Sequence, residues 1–157
     1  MAALEKKILS GSKRIVIKVG SALIRSDDKK LINEIILNRI VKEIIKLNEA
    51  GKEILLVSSG ALALGKKSLN FKRNNLKVSE KQAASSVGQV LLINAWKKAF
   101  LKYKKQCGQI LLTHLDAEIR SSAINARNTI ESLLKLDSIP IINENDSVAT
   151  QELRYGD

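Results

Sequence analysis

The stretch E-I-L-L-V-S-S-G, Glu53 to Gly60, decides the fold class of this chain of 157 residues. Four consecutive aliphatic residues stand between a glutamate and two serines, and a glycine follows directly. Such a continuous apolar run is typical of a short strand that is buried on both faces, as the strands of parallel sheets are. The same pattern occurs three more times, at Arg14 to Gly20, Gly108 to Thr113 and Ile139 to Ile142. The chain is therefore predicted to contain four buried strands, and the strand in this stretch is predicted to run from Glu53 to Ser58.

Segments with a helical period separate these strands. Leu31 to Ala50 carries isoleucines four residues apart, and Gly51 follows where a left-handed helix cap belongs. Further helices are predicted at residues 61–64, 79–105 and 121–136. Strands that alternate with helices predict an α/β fold, here a three-layer α/β/α sandwich with a mainly parallel sheet. We expect residues 1–12 to be an N-terminal arm and residues 13–157 to form one domain.

Local signals refine the helix boundaries. Gly65 is expected to end the helix that begins at Ala61. Ser79 and Gln82 have the spacing of a capping box at the start of the long helix. Gly88 lies within that helix and predicts either a break or a close packing contact.

The composition limits the classes of protein. Hydrophobic residues make up 45% of the chain and aromatic residues 3%, so we expect a core of isoleucine, leucine, valine and alanine. The single cysteine, Cys107, excludes an intrachain disulfide, suits a reducing cytosol and opens an apolar run that favours a buried thiol over a nucleophile. No apolar run is long enough to cross a bilayer, so we predict no membrane span and expect a cytoplasmic protein.

The net charge of +11 at neutral pH has two interpretations. A strongly basic protein can bind nucleic acid or another anion, or it can carry a solvated surface rich in lysine. The basic residues are scattered over several predicted elements, and lysine outnumbers arginine, the residue that most often reads base edges. We favour the solvated surface and expect no nucleic-acid partner.

Polar or glycine residues follow every predicted strand. The four segments are K-V-G-S (Lys18 to Ser21), S-S-G-A (Ser58 to Ala61), L-T-H-L-D (Leu112 to Asp116) and N-E-N-D (Asn143 to Asp146). Ligands of open parallel sheets bind outside the carboxyl ends of the strands, where these segments converge. The sequence therefore predicts one binding site at this edge.

Lys18 is the anomalous residue of the first strand. An ammonium group in an apolar strand is costly unless it meets an anion, and Gly20 and Ser21 can direct backbone N–H groups at a phosphate. The alternative is a lysine whose head group extends past the strand end into water. The pattern supports both interpretations equally.

Other catalytic patterns are excluded. Gly60 to Lys66, G-A-L-A-L-G-K, resembles a phosphate-binding Walker A loop, but Lys67 stands where the magnesium-binding hydroxyl is required and the spacer residues favour a helix. His114 is the only histidine, which excludes a histidine metal cluster, and we interpret it as a hydrogen-bonded structural residue. No metal-ligating residue is predicted.

The N-E-N-D segment suits a small zwitterionic ligand. Its carboxylates can bind an ammonium group, while its amides and neighbouring backbone N–H groups can bind a carboxylate. The alternative is an ordinary polar loop, because asparagine and aspartate are common in turns.

Six segments together resemble one family of kinases. In chain order they are K-V-G-S, V-S-S-G-A, S-V-G-Q, G-Q-I-L-L-T, N-A-R-N-T and P-I-I-N-E-N-D-S-V-A-T-x-E followed by G-D. This ordered set, from Lys13 to Asp157, is similar to glutamate 5-kinases, the γ-glutamyl kinases of the amino-acid kinase family. The resemblance implies a homo-oligomer that transfers the ATP γ-phosphate to the γ-carboxylate of L-glutamate, with Mg²⁺, as the first step of proline biosynthesis.

The resemblance also implies the roles of individual residues. Lys18 matches the lysine that contacts the transferring phosphate. Gly20 and Ser21 follow it, and we predict that they bind the nucleotide through their backbone N–H groups. Asp157 begins the family's G-D-N-D segment. Ser59, Asn143 and Asp146 match glutamate-binding positions of the family, and we also predict that Gly60 and Asp157 bind the substrate.

In that family the chain continues past G-D with a half that binds the nucleoside, and many members add a PUA domain. We therefore expect this chain to be an N-terminal fragment or the product of an interrupted gene, and to be inactive alone. The alternatives are another amino-acid kinase, acting on acetylglutamate or aspartate, and a non-catalytic remnant. The N-E-N-D carboxylates favour an acceptor with a free ammonium group, so acetylglutamate fits poorly.

Overall fold

The computed structural model of the chain describes residues 11–26, 31–73 and 75–149. Its elements, in chain order, are β1 (Arg14–Val19), α1 (Ser21–Ile24), α2 (Glu34–Glu49), β2 (Glu53–Ser58), α3 (Ala61–Ser68), α4 (Val78–Leu101), β3 (Cys107–Leu112), α5 (His114–Glu118), α6 (Arg120–Lys135) and β4 (Ile139–Glu144). The described part of the chain contains no helix that is long and apolar enough to cross a membrane. Most of the predicted N-terminal arm lies outside the described residues.

The four strands of the described residues form one parallel sheet in the order β1-β2-β4-β3. Val19 lies opposite Ser58, and Leu112 lies opposite Glu144, so the strands end at the same edge. β4 comes last in the described sequence but lies between β2 and β3. The predicted parallel α/β sheet is confirmed, and the segment after β4 is placed in the middle of the carboxyl edge.

One face of the sheet packs against α2 and α4 and forms the core. The alternate strand residues that are almost completely buried on this face include Ile54, Leu56, Ile139 and Ile141. Trp96 and Phe100 of α4 are fully buried in the same cluster, with ring centroids 6.2 Å apart. The expectation of a purely aliphatic core is therefore wrong, because two of the few aromatic rings fill it, and such rings bury the largest apolar area per residue.

The helix α6 packs on the opposite face. A methyl group at Gly108 of β3 would lie 2.7 Å from Leu133 Cδ2 of α6, which shows how closely the two elements approach. Arg14 of β1 donates hydrogen bonds to Glu131 of α6 at 2.6 and 3.0 Å, and to Glu53 of β2 at 2.9 Å. Helices on both faces confirm the predicted three-layer sandwich.

The helices α3 and α4 cross at two glycines. A methyl group at Gly65 would lie 1.7 Å from the carbonyl oxygen of Ala84, and one at Gly88 would lie 1.8 Å from that of Ala61. The two backbones therefore touch, and only glycine allows this approach. Close packing at Gly88 is confirmed. The prediction that Gly65 ends the helix is wrong, because α3 continues to Ser68 and Gly65 serves the crossing instead.

The predicted capping box of Ser79 and Gln82 is also wrong. The backbone N–H of Lys77 donates to Glu80 Oε2 at 2.8 Å, so the carboxylate that closes the start of α4 comes from a different residue. Arg73 forms an ion pair with the same carboxylate. A glutamate at the third helical position can reach this otherwise unpaired N–H group, and α4 accordingly begins at Val78.

The sequence pattern does not predict the two short helices α1 and α5, each of which follows a strand directly. It also starts α2 three residues too early. Asn33 Oδ1 accepts a hydrogen bond from the backbone N–H of Ile36 at 3.1 Å, so α2 begins at Glu34. At α2 a local hydrogen bond sets a boundary that apolar periodicity cannot indicate.

Candidate functional site

The carboxyl edge of the sheet brings the segments after β1 and β2 together. The backbone N–H of Ser59 donates to the carbonyl oxygen of Val19 at 3.0 Å. Gly60 adopts φ +117°, a left-handed conformation that glycine tolerates without strain. A methyl group at Gly60 would lie 3.5 Å from Cα of Ser21. Ser21, Ser59 and Gly60 therefore lie side by side where the two strands end.

A cavity of about 320 Å³ opens at this edge, and we call it the Lys18 cavity. The residues that line it include Lys18, Ser59, Leu112, His114, Asn143 and Glu144. Lys18, Ser59 and Asn143, three of the predicted site residues, share it because the parallel register ends β1, β2 and β4 at one level. Val16, on the same face of β1 as Lys18, is 61% exposed, so the sheet is open on this side.

Lys18 is exposed at the mouth of this cavity. The lysine therefore reaches solvent at the same edge as the ends of the neighbouring strands. The position suits contact with an anionic ligand in the cavity, and it also allows solvation in the absence of a ligand. The phosphate-contacting role of Lys18 stays a prediction.

A second cavity, also about 320 Å³, lies between α4 and the ends of β3 and β4, and we call it the α4 cavity. Its polar lining residues include Ser85, Gln89, Gln109, Glu144, Asn145 and Asp146. Asp146 therefore lies in the α4 cavity, not among the residues that line the Lys18 cavity. The turn after β4 causes this separation: Asn145 N–H donates to Leu112 O at 2.8 Å, and Ala149 N–H donates to Asn145 O at 2.9 Å.

Glu144 lines both cavities and also a third, of about 470 Å³, that includes His114 and Asp116. Glu144 was predicted only as one of the two N-E-N-D carboxylates and not as an individual site residue, and His114 was interpreted as structural. His114 is exposed at the start of α5, with its Nε2 3.2 Å from Glu118 Oε1. Both residues occur in the strand-end segments, which is the signal that could have identified them.

Gln89 is a further residue that the sequence analysis missed. Asn143 Nδ2 donates to Gln89 Oε1 at 2.8 Å, which joins β4 to α4 directly above the carboxyl edge. The S-V-G-Q segment could have indicated this residue. Gly88 permits the close helix crossing. Gln89, the next residue, contacts Asn143 of the sheet. The bond was not predictable from spacing, because 54 residues separate its partners.

Asp116, beside the third cavity, and Cys107, at the opposite end of β3, both have perturbed pKa values. Thr113 donates from its hydroxyl and its backbone N–H to Asp116 Oδ2, at 2.6 and 2.8 Å, and these bonds hold the pKa of Asp116 below its usual range. Asp116 is therefore ionised beside the third cavity at neutral pH. Cys107 is half-buried, so the thiol is less buried than predicted. This partial burial raises the pKa of the thiol, which argues against a nucleophile.

Three further predictions concern a phosphate contact at Gly20, glutamate binding at Asp157 and the absence of metal ligands. Gly20 precedes α1 with φ −74° and ψ 158°, an extended conformation that any residue can adopt. The phosphate contact of Gly20 stays a prediction. Asp157 lies outside the described residues. Among the described residues, no group of three histidine, cysteine, aspartate or glutamate side chains is arranged to hold a metal ion.

Residues 13–157 match the model of the amino acid kinase family. The chain belongs to the amino acid kinase family. Among curated proteins it is 46% identical over 149 residues to the glutamate 5-kinase of Pelagibacter ubique, covering 95% of this chain and 40% of that protein. It is 47% identical over 155 residues to the glutamate 5-kinase of Agrobacterium fabrum, and this match covers 99% of this chain and 40% of that protein. The chain thus spans about two fifths of the length of these amino acid kinases.

Two solved structures share the fold of this chain. Carbamate kinase from Giardia lamblia, bound to AMP-PNP, superimposes with a TM-score of 0.52 at 14% identity, over 89% of this chain and 59% of that one. UMP kinase from Ureaplasma parvum superimposes with a TM-score of 0.55 at 18% identity, over 83% of this chain and 55% of that one. At these identities the likeness concerns the fold alone.

Proposed function

We propose that this chain is the glutamate-binding portion of a glutamate 5-kinase, which transfers the ATP γ-phosphate to the γ-carboxylate of L-glutamate. The observation that carries the proposal is the pair of adjoining cavities with different charges. Lys18 lines only the first cavity, Asp146 lines only the second, and Glu144 lines both. A substrate with an ammonium group at one end and a carboxylate at the other matches this arrangement. The identity of 46–47% to two glutamate 5-kinases, over 95–99% of this chain, supports the same acceptor.

The proposed chemistry requires few protein groups. The γ-carboxylate of glutamate is ionised at neutral pH and attacks the γ-phosphorus itself, so no general base is needed. Negative charge shared among the reacting oxygens must be neutralised, and the ammonium group of Lys18 can do this from the edge of β1. Ser59, Gly60, Asn143 and Asp146 are proposed to hold the glutamate, and Gly20 and Ser21 to face the phosphates.

ATP and Mg²⁺ belong to the proposal as cosubstrate and cofactor. The described residues supply no three-ligand metal group. Magnesium commonly keeps several waters and binds through substrate phosphates with one or two carboxylates, so the phosphates of ATP would provide most of its ligands. When bound, the ion neutralises phosphate charge. The proposal further places the protein in the cytoplasm, as a homo-oligomer, at the first step of proline biosynthesis.

Calorimetric titration of the 157-residue chain with L-glutamate, L-aspartate and N-acetyl-L-glutamate tests the acceptor. We expect L-glutamate to bind, L-aspartate to bind more weakly because it is one methylene shorter, and N-acetyl-L-glutamate not to bind because it lacks the ammonium group. Tighter binding of N-acetyl-L-glutamate would identify a different acceptor class within the family. Absence of binding to all three would favour a non-catalytic remnant.

A further inference from the structure

Gln89 and Asn143 connect the two cavities. Asn143 lines the Lys18 cavity, Gln89 lines the α4 cavity, and the hydrogen bond from Asn143 Nδ2 to Gln89 Oε1 measures 2.8 Å. In an asparagine amide only the nitrogen donates, so an acceptor at this position decides which end of the amide faces it. The carbonyl oxygen Oδ1 of Asn143 is therefore directed away from Gln89 Oε1 and can accept a hydrogen bond from a ligand.

Helix α4 holds Gln89 at this position firmly. Gly88, the preceding residue, lies so close to α3 that a methyl group there would be 1.8 Å from Ala61 O and 2.6 Å from Gly65 N. A well-packed backbone contact of this kind resists sliding or rotation of the helix. The Gln89 side chain thus reaches Asn143 from a rigid support.

Ser85 gives an independent indication that a ligand enters the α4 cavity. It lies one helical turn before Gln89, lines the cavity and is 1% exposed. Its hydroxyl has no hydrogen-bond partner among the described residues. Buried polar groups without partners are uncommon and destabilising, and a ligand group in the cavity would satisfy this one.

The charges indicate which end of a ligand enters this side. Glu144 and Asp146 line the α4 cavity, and none of its described lining residues is basic. This is notable in a chain with a net charge of +11. The Lys18 cavity, in contrast, contains one lysine, Lys18, besides the shared Glu144. A cationic group is therefore favoured on the α4 side and an anionic group on the Lys18 side.

We propose that Gln89 is a positioning residue that makes Asn143 Oδ1 an acceptor for the ammonium group of the substrate. The ammonium group then lies where the two cavities meet, between Asn143 and the carboxylates on the α4 side, and the γ-carboxylate extends toward Lys18. Asn143 consequently selects for an amino acid over a plain dicarboxylate. This inference rests on the proposed function, in which the acceptor is an amino acid with a free ammonium group.

Binding of L-glutamate and of glutarate, which is the same dicarboxylate without the ammonium group, tests the inference. We expect wild-type protein to prefer L-glutamate and Gln89→Leu to lower its affinity for L-glutamate about tenfold while leaving glutarate unchanged. Gln89→Glu should retain the preference, because a carboxylate accepts the same bond from Asn143. Gln106→Leu, an exposed glutamine before β3, is the matched control and should change neither affinity.

Each outcome separates the inference from the proposed function. Equal weakening of both ligands in Gln89→Leu would show a purely structural role and overturn the inference alone. Equal affinity of wild-type protein for both ligands would also overturn it, while leaving a glutamate site. If wild-type protein binds neither ligand, the proposed function fails and the inference fails with it. Should Gln89→Leu not fold, Asn143→Leu offers the same comparison, with loss of the preference expected.

Discussion

The indole N–H of Trp96 donates to Ser58 Oγ at 2.8 Å, and both side chains are completely buried. The bond connects α4 to the last residue of β2. Ser58 directly precedes Ser59, which lines the Lys18 cavity, so one buried hydrogen bond helps to hold the strand end that carries the site.

Ser58→Ala is expected to lower the free energy of unfolding by about 1–3 kcal/mol, because it leaves the buried indole N–H without an acceptor. Urea denaturation of the variant and of wild-type protein measures this. Ser132→Ala on the exposed surface of α6 is the control and should cost much less. A similar decrease in the free energy of unfolding of both variants would mean that the buried bond does not stabilise the fold more than a surface hydroxyl does.

Gly88→Ala and Gly65→Ala should each destabilise the protein by about 3 kcal/mol or more, because the added methyl group meets backbone atoms of the facing helix. Thermal unfolding followed by circular dichroism measures the effect. Gly20→Ala is the matched control, since no atom lies within 4 Å of its added methyl group. A stable Gly88→Ala protein would contradict the close crossing of α3 and α4.

Lys18→Met should lower kcat strongly with little change in L-glutamate affinity, because charge neutralisation is required only in phosphoryl transfer. The assay is glutamate-dependent ADP release by a fusion of this chain to the remaining part of the Pelagibacter ubique relative. Lys42→Met, which removes an exposed lysine of α2, is the control. Near-normal kcat in Lys18→Met would remove Lys18 from the mechanism.

Asp146→Asn should lower the affinity for L-glutamate about tenfold or more, because it removes one charge-assisted contact to the ammonium group. The affinity for the nucleotide should not change. Calorimetry with L-glutamate, and with a non-hydrolysable ATP analogue on the fusion protein, makes the comparison. Asp137→Asn, which removes an exposed carboxylate after α6, should have no effect on either. Equal loss of both affinities would argue against a specific role for Asp146.

The ion pairs at the amino edge of the sheet should make stability depend on pH. A hydrogen bond from Arg14 lowers the pKa of Glu131. Hydrogen bonds from Lys13 and, to a smaller extent, from Arg14 lower the pKa of Glu53. A carboxyl group with a lowered folded-state pKa stabilises the fold above its unfolded pKa, about 4.3, and loses that contribution as pH falls through the folded value. Urea unfolding between neutral pH and pH 3 should show a shallower decline in Glu131→Gln than in wild-type protein. Identical profiles would mean that the pair at Arg14 does not contribute.

The strands could be predicted because each is a continuous apolar run closed by polar residues. The prediction for β2 agrees at both ends, and those for β1, β3 and β4 differ by one or two residues. Helix ends were less predictable. Glu80 rather than Ser79 or Gln82 closes the start of α4, since side-chain hydrogen bonds decide such boundaries and several nearby residues can form them.

The sequence by itself determined the parallel α/β class, the positions of the strands and the presence of Lys18, Ser59 and Asn143 at one edge, because apolar runs and strand direction are local properties. The prediction that every strand is buried on both faces is wrong for β1, where Val16 is 61% exposed. Only the tertiary structure decided that β4 lies between β2 and β3, that Asp146 turns into the α4 cavity and that Gln89 meets Asn143. These relationships join residues far apart in the chain. The contact between Gln89 and Asn143 also depends on how α4 packs against α3 at Gly65 and Gly88, and no local pattern of residues specifies which helix is the partner.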